Sequence, residues 1–137
     1  MQSIFLVALI LVVLSGINGQ LAGGFSDLKP AEYTKTAWKS VPQINSKVNG
    51  DTLFVPVKVV KAQVQVVAGT NTVLEVLVSE STCSKGVAAT QVNADKCKLK
   101  SGGKRALYKV SIWEKSWENF EQITAEKIRD VAANEKL

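Results

Sequence analysis

The feature that most constrains this chain is a valine-rich stretch that turns back on itself. From Thr52 to Ala68, Val55, Val57 and Val59 share one parity, and Val64 and Val66 share the other. A two-residue period sends alternate side chains to opposite faces of a sheet. The change of phase near Val59-Val60 therefore predicts a bulge or sharp bend, because a one-residue slip exchanges the faces. Ala68-Gly69-Thr70-Asn71 reads as the turn of a hairpin. Thr72 to Thr82 is the return strand, with Leu74, Val76 and Val78 on one face. After a long polar connection, Ala106 to Glu114 reads as another strand, with Tyr108, Val110 and Ile112 on one face. Lys115 to Glu118 is a second turn and Phe120 to Thr124 a last short strand. Ala125 to Leu137 is charged and compatible with a helix or a frayed tail.

Such a sheet needs an apolar cover. Residues from Pro30 to about Val48 supply one as a predicted helix, with Ala37, Trp38, Val41, Ile44 and Val48 on a single stripe. Pro42 conflicts with a helix interior, so a kink or an early end is expected there. Asn49-Gly50-Asp51 is a turn signal that closes the segment. The implied class is α+β: one long N-terminal helix packed on a twisted antiparallel sheet of about four to five strands.

The first residues stand apart. Ile4 to Leu14 is an unbroken apolar run, well short of the roughly 20 residues needed to span a membrane. Ser15, Gly16 and Gly19 follow it, as small residues do at a signal-peptidase site. The expectation is a signal peptide over 1–19, a single mature domain over 20–137, a secreted extracellular protein, and no membrane association once the signal is removed.

The sequence contains no histidine and only two cysteines. This excludes Ser-His-Asp and Cys-His catalysis, the HExxH zinc site and a four-thiolate zinc site. No metal, no cofactor and no enzymatic activity are expected. In an oxidising compartment Cys83 and Cys97 should form a disulfide. Their separation is 97 − 83 = 14, and a loop of that size stabilises by about 3 kcal/mol in the chain-entropy model. Lys96, Lys98, Lys100, Lys104 and Arg105 cluster around Ser101-Gly102-Gly103. They read either as a solvated basic loop or as a surface for heparin-like polyanions. No aromatic residue interleaves with them, so nucleic acid is not an expected partner.

Three further segments carry a resemblance. Gln65-Val66-Val67-Ala68-Gly69 fits a Gln-x-Val-x-Gly pattern at a hairpin tip. Gly23-Gly24 stands upstream of the helix, and Ser116-Trp117 stands at the second turn. With the leader, Ile44-Asn45 in the helix and the Cys83–Cys97 pair, this order resembles the secreted type-2 cystatins over essentially the whole mature chain. Trp-Glu-Lys-Ser-Trp at 113–117 and the single cysteine pair are most similar to invertebrate, nematode-like members. The resemblance implies a monomeric, reversible, non-covalent inhibitor of papain-like cysteine proteases such as cathepsins. Leu21, Ala22 and Gly23 would enter the cleft as a substrate-like strand. Gln65, Val66, Val67, Ala68 and Gly69 would form the first loop, and Ser116 and Trp117 the second. Ser116 departs from the family's Pro-Trp, which predicts a less preorganised turn. The second disulfide of vertebrate members is missing. Some members also inhibit legumain through an asparagine after the helix, and Asn49 falls at that place with both neighbours changed. As a turn residue beside Gly50, Asn49 also has a complete structural explanation. The rival reading is a polyanion-binding or signalling module on the same fold, with inhibition weakened or lost.

Overall fold

A computed structural model describes residues 24–137. The expected signal peptide and Leu21 to Gly23 lie outside the described residues. Strand β1 (Phe25–Asp27) leads into a 3₁₀ turn (Pro30–Tyr33) and two short helices, α1 (Thr34–Trp38) and α2 (Val41–Asn45). Four strands follow: β2 (Thr52–Val67), β3 (Gly69–Ser84), β4 (Arg105–Lys115) and β5 (Phe120–Val131). They form one antiparallel sheet in the order β1-β2-β3-β4-β5, so every neighbour in space is a neighbour in sequence.

The cover is not one long helix. Lys39 N–H bonds to Thr36 O at 3.1 Å and Ser40 N–H to Ala37 O at 3.0 Å, which closes α1 with i→i+3 bonds. Buried Ser40 turns its hydroxyl onto Ala37 O at 2.6 Å. The break precedes Pro42, which falls in the first turn of α2, where its missing N–H has no helical partner to lose. The stripe survives the break. Ala37, Val41 and Ile44 are buried, and Trp38 and Val48 pack at the margins.

The inner sheet face matches the alternation in the sequence. Leu74, Val76 and Val78 of β3 and Tyr108, Val110 and Ile112 of β4 are all buried beneath Ala37 and Ile44. Burial pushes the Tyr108 hydroxyl pKa up. Strand β2 carries register shifts between Pro56 and Lys58 and between Val59 and Lys61. The second is the expected change of phase. The first pushes Val57 into solvent, so Val57 does not share the buried face of Val55 and Val59.

Asn45 fastens the cover to the sheet. Its Nδ2 donates to Val41 O and to Phe54 O, and its Oδ1 accepts from Phe54 N–H, each at 2.8 Å. A disulfide joins Cys83 to Cys97 and ties the connection after β3 against Val41, Leu53 and Val55.

Two more expectations change. The last strand runs to Val131 instead of stopping near Thr124, and Ala125 pairs with Val110 where a tail was expected. Strand β1 was not expected at all. Three residues are too few for a periodic signal, and β1 exists because β2 offers it an open edge.

Candidate functional site

One end of the sheet gathers the predicted segments. Strands β2 and β3 meet in a hairpin whose last pairs are Val66 with Thr70 and Val67 with Gly69, leaving Ala68 at the tip. The turn is therefore tighter than the expected 68–71, since Gly69, Thr70 and Asn71 already belong to β3. Gly69 adopts φ +90°, a conformation open to glycine and costly for other residues. It also lies against the neighbouring strand, since a Cβ built there would stand 2.0 Å from Glu114 O. Gly69 thus lets the tip lean onto β4.

The second turn is the adjacent one. Thr70 pairs with Glu114 and Lys115 with Phe120, so the chain reverses at Ser116–Glu118 beside the hairpin tip. Asn119, at φ 51°, completes the reversal in the left-handed region that asparagine tolerates. Trp113 links the two turns, its Nε1–H donating to Ala68 O at 2.8 Å. Phe120 meets the Trp113 ring edge-on at 5.2 Å. Lys115 Nζ lies 4.6 Å from the Trp113 ring centre and 4.9 Å from that of Phe120. These contacts hold the roots of the turn and leave its crest outside.

Apolar groups stand on that crest without cover. Val66 is 58% exposed, Val67 40% and Trp117 65%. Large apolar side chains in solvent at adjacent turns need an explanation that packing does not give. Val67 shares a hollow with Asn71, Ser111 and Trp113 on the outer sheet face, and alternation sends Val66 to the other side. Between the turns lies a shallow concavity of about 480 Å³, lined by Val66 to Thr70, Glu114, Ser116 and Trp117.

The third segment arrives from the opposite side. Phe25 pairs with Gln65, and β1 runs antiparallel to β2. The chain therefore enters the sheet level with the hairpin tip. Gln65 is half-buried in the middle of this ladder, opposite Phe25 and Asn71. Asn49 is not part of this end. It is exposed beyond α2, beside Gly50 at φ 99°, at the far end of β2.

Sequence reasoning missed Trp113, Glu114, Lys115 and Phe25. The available signal was the pairing of β3 with β4, which sets Trp113 and Glu114 beside the tip once Leu74 and Val110 are aligned. As for chemistry, the hydroxyls at this end are those of Thr70 and Ser116, and the sequence has no histidine to serve them as a general base. The two cysteines of the sequence are joined to each other.

Comparison with known proteins gives the same assignment. The cystatin domain profile matches residues 23–129. Cystatin cpi-1 of Caenorhabditis elegans is 66% identical over 139 aligned residues, covering 100% of both chains. A cysteine proteinase inhibitor of Hordeum vulgare is 31% identical, over 82% of this chain and 80% of its own. The crystal structure of Al-CPI superposes with a TM-score of 0.64 at 39% identity, over 77% of this chain and 99% of that one. This chain belongs to the cystatin family, whose members are protease inhibitors and not enzymes. Its likeness to the Caenorhabditis protein over the whole length makes it a nematode-like member.

Proposed function

We propose that this protein is a secreted, reversible, non-covalent inhibitor of papain-like cysteine proteases of the cathepsin class. The observation that carries the reading is the alignment at one sheet end of three segments: the entry to β1, the Gln65–Gly69 hairpin tip and the Ser116–Trp117 turn. A protease cleft is concave, and a convex edge with exposed apolar groups complements it. Trp117 is the rigid anchor on one side of the tip. Val66 and Val67 present an apolar crest in the middle. In the complex this reading implies, Leu21 and Ala22 would enter the cleft as a substrate-like strand, and Gly23 would turn the chain away before a scissile bond is offered. The inhibitor occupies the cleft without reacting, so it needs no nucleophile of its own.

Titrating papain tests this. The parent is expected to inhibit at near-stoichiometric concentration. Trp117→Ala should weaken inhibition by about 2 kcal/mol or more, roughly thirtyfold, with thermal stability unchanged. No inhibition by the parent up to micromolar concentration rejects the function, and an unchanged inhibition constant in the variant removes Trp117 from the contact.

Asn49, at the opposite end of β2, has two readings, a turn residue beside Gly50 or a second edge that takes legumain. Legumain inhibition lost in Asn49→Ala, with papain inhibition intact, marks a separate edge. No legumain inhibition by the parent leaves Asn49 as a turn residue.

A further inference from the structure

The charge of this protein is concentrated in one place. Lys plus Arg is 17 and Asp plus Glu is 12, a net +5. Residues 96–105 contain Lys96, Lys98, Lys100, Lys104 and Arg105 and no acidic residue, so this one connection also carries +5. Everything else balances, with 17 − 5 = 12 basic against 12 acidic residues.

The structure holds this connection firmly. Cys97 is buried and joined to Cys83. Thr82 N–H donates to Lys98 O at 2.8 Å, and Lys100 N–H donates to Glu80 O at 3.0 Å. Leu99 thus forms an isolated antiparallel bridge with Ser81 near the end of β3. In an extended segment, residues two apart point the same way, roughly 6.6–7 Å from one another. Lys98 and Lys100 follow that spacing on either side of Leu99, and Lys96 stands at the end of the preceding turn, where Cys97 N–H donates to Asn93 O at 2.8 Å; all three lysines are exposed. Two acidic side chains flank the loop: exposed Asp95, directly before Lys96, and Glu80 of β3. Glu80 is the one bound to its backbone. Its carboxylate accepts from Lys104 N–H at 2.7 Å and closes the Gly102-Gly103 turn. Among the described residues none of Lys96, Lys98, Lys100 and Lys104 pairs with a carboxylate within 4.0 Å.

We propose that this lysine row is a binding surface for a linear sulfated polysaccharide, separate from the protease-facing edge. Four unpaired ammonium groups on a fixed ridge present a line of point charges to a line of sulfates. The ridge is already ordered by backbone bonds and a disulfide, so little conformational entropy is lost when it is occupied. No aromatic ring stands among the lysines to stack on a base, which disfavours single-stranded nucleic acid. The row pairs with residues 80–82 of β3, while the hairpin tip is at Gly69. That separation is roughly 35–40 Å along the strand, so polysaccharide and protease need not compete.

The test uses immobilised heparin and the whole protein at 0.05 to about 0.5 M salt. One variant carries Lys96→Gln, Lys98→Gln and Lys100→Gln. A charge-matched control carries Lys35→Gln, Lys61→Gln and Lys109→Gln, three exposed lysines outside the row. The parent is expected to be retained at about 0.15 M salt. The row variant should bind at least tenfold more weakly there, with a shallower salt dependence because fewer counterions are released. The control should stay within about twofold of the parent. Papain inhibition should be the same in all three proteins and should persist with heparin bound. Equal weakening in row variant and control overturns the proposal in favour of net charge alone. No retention of the parent at 0.15 M salt overturns it outright. Tighter binding to phosphatidylserine vesicles or duplex DNA than to heparin replaces the polysaccharide with that partner. The papain readout keeps these outcomes separate from any failure of the inhibitor reading.

Discussion

The two turns at the exposed end of the sheet reach the same crest by different means. The hairpin tip is set by backbone: a tight reversal at Ala68, with Gly69 at φ +90° and no room for a Cβ beside Glu114 O. The second turn is set by side chains. Trp113 bonds to Ala68 O, Phe120 meets its ring, and Lys115 lies against both. Its crest, Ser116–Glu118, is a single 3₁₀ turn closed by Asn119 N–H to Ser116 O at 3.3 Å. A backbone-set turn fails at one atom, whereas a turn set by side chains weakens by degrees. The contrast predicts how each responds to substitution.

The largest effect is expected at Gly69. Alanine there combines a disfavoured φ with a Cβ 2.0 Å from a main-chain oxygen on the neighbouring strand. Neither partner is a flexible side chain, so the tip must move away from β4. Gly69→Ala should lower stability by about 3 kcal/mol, from strain and overpacking together. With the tip displaced, papain inhibition should fall roughly a hundredfold. Denaturant unfolding and an inhibition assay read the two effects. Wild-type stability in this variant would mean that the tip is not pinned by backbone, and the contrast between the turns would fail.

A smaller effect is expected at the link between them. Trp113→Phe keeps a ring near Lys115 and Phe120 but removes the N–H that reaches Ala68 O. The bond is exposed, so water replaces it in part, and the loss should be about 0.5–1 kcal/mol. Inhibition should weaken severalfold, because both loops shift relative to each other. A double variant, Trp113→Phe with Trp117→Ala, sharpens the point. Additive losses would mean that Trp113 acts independently of the crest, while coupling would show that it positions the second turn.

What could be read in the sequence follows the same division. The inner faces of β3 and β4 were legible because burial enforces a strict period of two, as Leu74 to Val78 and Tyr108 to Ile112 show. The Gln65–Gly69 tip was legible because it depends on residue type at fixed offsets. Contacts made across strands were not. Nothing local to Trp113 reveals that its indole reaches Ala68, and nothing local to Gly69 reveals Glu114 above it. The helix was legible in part: the interruption expected at Pro42 is there, but its extent, two short helices in place of one long one, was not. Its apolar stripe is continuous through Trp38 and Val41, but Ser40 and Pro42 favour a restart, and i→i+3 bonds end α1 at residue 40. Strand β5 was cut short because Glu126 to Asp130 is exposed and mostly charged, and its inward residue Ala125 carries little hydrophobic signal.

The smallest effect comes from converting the second turn towards the first. Ser116 opens the 3₁₀ turn, and Lys115 before it sits at φ −128°, ψ 95°. That extended conformation avoids the α region closed to a residue preceding proline, and ψ has to open by only about 25° to reach the preferred range. Proline at the first helical position gives up an N–H that the turn does not need and keeps the carbonyl that accepts from Asn119. Ser116→Pro should therefore stabilise the protein by about 0.4–1 kcal/mol, mainly by narrowing the unfolded ensemble. A crest fixed at φ near −65° should also hold Trp117 with less ordering on binding, so inhibition should tighten by about twofold. The change belongs in the off-rate, since the encounter surface is unaltered. A lower melting temperature would show that Ser116 sits at a φ proline cannot adopt. A higher melting temperature with unchanged inhibition would show that the side-chain clamp of Trp113, Lys115 and Phe120 already orders the turn fully, and that the missing proline has no functional consequence here.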